Sequence, residues 1–163
     1  MAETLVLGLG NILLGDEGVG IRVVERLLER YDFPGEVRVM DGGTLGLDLL
    51  PYLEDASRLL VVDAAQARKP PGTLIRLTGN EIPIFLDASK VSPHQEGLQD
   101  LLAVATLKGY LPEEVVFWGV QIESLGVGLE LNPSLAAQVD ALAEKVLEEL
   151  ARWNIEPKSK QDA

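Results

Sequence analysis

At 163 residues and 47% apolar, the chain has the length and the core for one compact domain, residues 1–153, and no room for a second. It has no cysteine, which excludes disulfides, thiolate metal sites, iron–sulfur clusters and thiol nucleophiles; any metal ligand must be carboxylate, imidazole or backbone. With 26 acidic against 14 basic residues, a net charge of −12 and no cluster of Lys or Arg to reverse it locally, nucleic acid is excluded as a partner.

Thr4 to Leu9 is an unbroken apolar run, as expected of a strand covered on both faces in a parallel sheet. A helix is predicted over Gly18 to Tyr31, with Val19, Val23, Val24, Leu27 and Leu28 on one face and Arg22, Glu25, Arg26, Glu29 and Arg30 on the other. Val37 to Met40 is a short strand ending at Asp41-Gly42-Gly43-Thr44, and Leu45 to Leu53 a weaker helix interrupted by Pro51. Arg58 to Val62 is a third strand, ending at Asp63. After a Pro-Pro-Gly turn at 70–72 comes a fourth, Thr73 to Leu77, whose direction is open and which could be an antiparallel edge.

Gly79 to Lys90 shows no period; Ser92-Pro93-His94-Gln95 then precedes an amphipathic segment from Gly97 to Leu107. Glu114 to Val120 is the last strand. Asn132 and Pro133 supply an N-cap and first residue for a final helix with the stripe Leu135, Val139, Leu142, Val146 and Leu150. Residues 154–163 read as a frayed polar tail. The alternation predicts a single-domain α/β fold, a mostly parallel five-stranded sheet with helices on both faces. No apolar run approaches the ~20 residues of a membrane span, and the N-terminus lacks the basic start and apolar segment of a signal peptide, so a cytoplasmic protein with no membrane partner is expected.

The first strand empties into a glycine-rich turn, Gly8-Leu-Gly-Asn11-Ile-Leu-Leu-Gly-Asp16-Glu17-Gly18-Val-Gly20. A dinucleotide fingerprint would place its third glycine at position 13, which is Leu13, and two carboxylates would repel a pyrophosphate at the helix N-terminus. The turn instead suits a cation or a polar peptide. In parallel sheets the functional crevice lies at the carboxyl ends of the strands, and Glu17, Asp41 and Asp63 all fall there. His94, the only histidine, precedes a helix whose loop can open on that edge. Glu17, Asp63 and His94 would together make a site suited to zinc, nickel or manganese, with positions left for water or substrate.

Each residue also has a structural alternative. Asp63 can bond local backbone donors, Asp41-Gly42 is a common turn pair, Asp16 reads as a solvated first-turn charge, and a lone surface histidine has no meaning by itself. The chain has no G-x-S-x-G elbow, S-x-x-K pair, H-E-x-x-H or Walker loop, so the common hydrolase and NTPase constellations are excluded.

With this first motif followed by Asp41-Gly-Gly-Thr44, Val62-Asp63-Ala64 and Ser92-Pro-His94-Gln95, the chain resembles the nickel–iron hydrogenase maturation endopeptidases from Thr4 to about Arg152. The resemblance implies a phosphorylase/hydrolase-like fold and a protease that removes the C-terminal extension of a hydrogenase large-subunit precursor after nickel insertion. Its nickel-recognising residues fall on Glu17, Asp63 and His94, and its Asp-Gly-Gly aspartate on Asp41, so these four are the catalytic candidates. The nickel would be carried by the substrate, no other cofactor is implied, and zinc or cadmium would fit the same site in vitro. The chain departs from the family at Gln121-Ile122-Glu123, where proline is common at the position of Ile122; a change in loop stiffness is expected. Two other functions fit the same residues: a chaperone that binds the loaded subunit uncut, and a stand-alone metallopeptidase or amidohydrolase acting on small peptides.

Overall fold

The computed structural model describes residues 3–89, 93–124 and 126–162, excepting the side chains at 89, 93–96 and 162. Its main sheet is built from β1 (Thr4–Leu9), β3 (Val37–Gly43), β4 (Arg58–Ala65), β5 (Leu74–Thr78) and β6 (Glu114–Gln121), in the order β3-β1-β4-β6-β5. The first four are parallel, and β5 runs antiparallel against β6. The direction left open for the fourth strand is therefore that of an antiparallel edge.

The buried runs have their cause in the two layers around the sheet. On one face Val6, Leu60, Val62, Val116 and Val120 pack against α1 (Val19–Arg30) and α6 (Val139–Arg152). On the other, Leu5, Leu7, Leu59, Val61 and Phe117 meet α2 (Leu50–Leu53), α3 (Glu81–Ser89) and α4 (Pro93–Lys108). Each fully buried leucine in these layers contributes about 1.5–3 kcal/mol. With both faces covered, the strands need no polar alternation.

The structure corrects several expectations. Residues 81–89 form α3 despite their lack of period, with Ile82 and Leu86 buried in the core and Glu81 reaching back to accept hydrogen bonds from the N–H of Thr78 (2.9 Å) and its hydroxyl (3.1 Å). The Glu81 carboxylate thus ties the first turn of the helix to the end of β5, and an acid in a first turn also suits the helix dipole. His94 does not precede its helix but lies in the first turn of α4, which begins at Pro93. β4 continues through Asp63 to Ala65 instead of ending before it.

The final helix is divided into α5 (Pro133–Ala136) and α6, while its predicted stripe is buried throughout. The tail is not frayed: β7 (Lys158–Ser159) pairs antiparallel with β2 (Tyr31–Asp32), and Ile155 is buried in the core. Among the described residues no helix is long and apolar enough to cross a membrane.

Candidate active site at the carboxyl edge of the sheet

The glycines after β1 serve close packing. Gly10 has φ +132°, and a Cβ there would lie 1.9 Å from the carbonyl oxygen of Glu17; the Asn11 N–H donates to that same oxygen at 3.2 Å. Gly20 lets α1 descend onto the sheet, for a Cβ there would meet the carbonyl oxygens of Val62 at 2.3 Å and Leu9 at 2.5 Å. The single turn of 3-10 helix at Gly15–Gly18 is thereby pressed against the ends of β1 and β4, and it carries Asp16 and Glu17.

Asp16 is 1% exposed, Glu17 4% and Asp63 0%. Asp63 sits one residue beyond Val62, which is in register with Gly8 of β1, so it emerges beside the glycine turn. Its Oδ1 accepts the N–H of Ala64 at 2.7 Å, a local bond of the kind its structural alternative anticipates. Strand alternation puts Asp63 on the face of Leu59 and Val61, the face covered by α4. The start of α4 is drawn to the same edge by Gly46 and Gly97, where a Cβ on Gly46 would lie 3.4 Å from the Cα of Gly97. The fold thus brings the backbone of the His94 turn to the side of the sheet that bears Asp63, while the His94 side chain lies outside the described residues.

Asp41 is placed differently. It pairs with Gly8, whose missing side chain would face Gly20 and Val24 of α1, so Asp41 belongs to the α1 face and not to that of Asp63. It is exposed, and its Oδ1 accepts the N–H of Gly43 at 2.7 Å, closing the Asp-Gly-Gly turn. Among the described residues no three His, Asp or Glu side chains are grouped to hold a metal ion; the trio of Glu17, Asp63 and His94 includes one side chain beyond them.

Asp16 is not a solvated charge. Its carboxylate accepts the N–H groups of Glu123 (2.9 Å), Ser124 (3.2 Å) and Asn132 (2.8 Å) and the side-chain amide of Asn132 (2.9 Å). Burial alone would raise its pKa, but these four donors together hold the carboxyl below its ordinary value. The amide of Asn132, expected to cap α5, is used here instead. A second clamp also escaped sequence reasoning. Buried Gln121 accepts the N–H groups of Ala67 (2.7 Å) and Lys69 (3.3 Å) and donates to Gln66 (2.8 Å), fixing the loop that follows β4. Next to it, the Ile122 N–H donates to the Ala65 carbonyl at 3.1 Å, a bond that proline would forgo. The departure at Ile122 thus adds a ladder bond and a buried side chain.

A concavity of about 610 Å3 lined by Leu28, Tyr31, Phe33 and Met40 opens near the amino end of β3, and it holds none of Glu17, Asp41 or Asp63. Buried charge and topology, not hollow volume, single out the carboxyl edge.

Comparison with known proteins gives a consistent result. The family model HycI, hydrogenase maturation protease, matches residues 21–149. The chain is 45% identical over 155 residues to the hydrogenase expression/formation protein HupD of Rhodobacter capsulatus, covering 94% of this chain and 74% of that protein. It is 40% identical over 153 residues to the hydrogenase 2 maturation protease of Escherichia coli K12, covering 93% of each. Among solved structures, the hydrogenase maturating endopeptidase HybD from E. coli is similar over 100% of both chains, with a TM-score of 0.94 at 38% identity. A match across most of the chain, these identities and a shared five-stranded α/β fold place the protein: it belongs to the hydrogenase maturation protease family, and it is a peptidase.

Proposed function

We propose that this peptidase removes the C-terminal extension of a nickel–iron hydrogenase large-subunit precursor once nickel has been inserted, and that it recognises the nickel carried by that substrate. The observation that carries the reading is the placement of Glu17 and Asp63, two carboxylates withdrawn from water at one sheet edge, with Asp63 on the face covered by the helix whose first turn holds His94. Two hard oxygen ligands and an imidazole are a donor set suited to Ni2+.

In this reading Glu17, Asp63 and His94 approach the substrate's nickel and use it as a docking point that distinguishes loaded from empty precursor. Hydrolysis of the peptide bond needs a base to take a proton from water, and the chain has no cysteine and no serine elbow. A carboxylate of this edge would fill that role, and nickel held by Glu17, Asp63 and His94 would supply Lewis-acid chemistry to the scissile carbonyl or the attacking water. Asp41, on the opposite face, acts by holding the turn at 41–44 against the site.

The test is the intact mass of a large-subunit precursor, nickel-loaded or nickel-free, after incubation with the parent protein or its Glu17→Ala variant. Loss of a C-terminal fragment only from loaded precursor, and only with the parent, is the expected result. Equal cleavage of loaded and empty precursor removes the nickel gate; a stable complex with no change of mass identifies a chaperone instead.

A further inference from the structure

Three loops at the carboxyl edge each present two large apolar side chains to solvent: Ile12 and Leu13 after β1, Leu45 and Leu47 after β3, Val127 and Leu129 after β6. Val127 is 91% exposed and Leu129 63%. No charged residue occurs at 11–14, 42–47 or 126–129, although a quarter of the chain is charged and its net charge is −12. Scattered single exposed hydrophobics need no explanation, but apolar groups gathered in three loops at one edge mark a surface that is covered in use.

The loops are also tied in place. Gly15 donates to the Gly128 carbonyl at 2.8 Å, and Gly128 donates to that of Leu13 at 2.9 Å, so the loops after β1 and β6 form one bridged unit. Asp16 fastens the same pair from below through Glu123, Ser124 and Asn132. The loop after β3 rests on the start of α4 through Gly46 and Gly97. A surface fixed before its partner arrives loses less conformational freedom on binding.

We infer that these three loops form a preformed apolar rim on which the precursor docks through an apolar, uncharged patch of its own folded surface next to the segment to be cut. The inference rests on the proposed function for the partner's identity. The occupant follows from continuity with the site, for a hydrogenase maturation protease must seat a protein over its carboxyl edge, and the rim surrounds that edge. It follows also from chemistry, since six exposed apolar side chains bordered by the exposed acids Asp41, Asp48, Glu123 and Glu130 fit an apolar patch that carries no acid of its own.

The test uses nickel-loaded precursor with the parent, with Leu13→Glu and Val127→Glu, and with Leu107→Glu, whose exposed side chain lies in the last turn of α4 at the far end of the sheet. Binding is measured on immobilised precursor, cleavage by intact mass, and folding by melting temperature. The rim variants should melt like the parent, bind about tenfold or more weakly and raise KM by about the same factor with kcat nearly kept; Leu107→Glu should change nothing. Val127→Ser and Leu129→Ser remove apolar area without adding charge, and should weaken binding in the same direction by a smaller factor.

Rim variants that bind and cut like the parent, or a Leu107→Glu loss as large as theirs, overturn the inference. If the parent binds precursor without cutting it, the proposed function fails while the rim is still decided by whether the variants lose that binding. A parent that does not bind precursor at all overturns both.

Discussion

Asp16 takes two hydrogen bonds from the single residue Asn132, one from its main-chain N–H at 2.8 Å and one from its side-chain amide at 2.9 Å. Because Glu17 is the next residue, this bond pair ties the turn that carries a candidate catalytic carboxylate to the loop arriving from β6. Replacing Asp16 by Ala leaves three part-buried main-chain donors without their acceptor. The expected loss is about 3 kcal/mol or more of stability in urea unfolding. The amides of Glu123, Ser124 and Asn132 should also exchange faster with solvent. A loss below about 1 kcal/mol would show that water replaces the clamp.

Acid should undo the same clamp. The carboxyl groups of Asp16 and Glu149 both lie below their ordinary values, 3.8 and 4.5. For Glu149 burial acts upward, but hydrogen bonds from Arg76 and Trp118 and the charges of Arg76 and Arg152 outweigh it. A carboxyl depressed in the folded state adds stability that is present above its unfolded pKa and lost as pH falls through its folded one. Stability should therefore hold from neutral pH down to about 4.5 and decline progressively below it, and Asp16→Asn and Glu149→Gln should each flatten that decline. Melting temperatures measured from pH 6 to pH 3 check this. Parallel acid curves for the parent and both variants would show that other groups control acid unfolding.

Much of the scaffold is legible from the chain alone, and the failures have physical causes. β1 and β4 stand out because a strand buried on both faces must be an apolar run, and α1 because one face meets the sheet and the other meets water. α3 is hidden from periodicity, since Ile82 and Leu86 are the residues it sends into the core and the helix is short. Asp16 has the sequence pattern of a solvated first-turn acid because its partners lie 107 to 116 residues away, and no local pattern encodes such a contact. The two-residue pairing of Tyr31–Asp32 with Lys158–Ser159 is likewise too short to leave a period. Glu17 and Asp63 could be placed at one edge from topology alone, whereas the separation of Asp41 to the opposite face depends on register.

Gly20 offers a sharper probe of how the site is placed. A Cβ at this position would lie 2.3 Å and 2.5 Å from two carbonyl oxygens that belong to strands and cannot swing aside. Gly20→Ala must therefore lift α1 off β1 and β4 and carry the Glu17 turn with it. The expected result is a loss of about 3 kcal/mol together with a fall in precursor cleavage larger than the unfolded fraction explains. Full cleavage per folded molecule would mean that the depth of α1 does not position Glu17.

The place of His94 can be tested without any precursor. If its imidazole joins Glu17 and Asp63, the three provide a donor set that zinc accepts from solution. Binding only to the folded state at 100 times the Kd adds about 2.7 kcal/mol, which for a domain of this size raises the melting temperature by about 5–10 °C. The parent should show that rise with millimolar zinc and lose it in EDTA. His94→Ala should melt like the parent without metal and show no rise with it, because two carboxylates alone bind zinc weakly. A zinc shift that survives His94→Ala would remove the histidine from the group. A metal-free melt that collapses in the variant would assign His94 to packing instead.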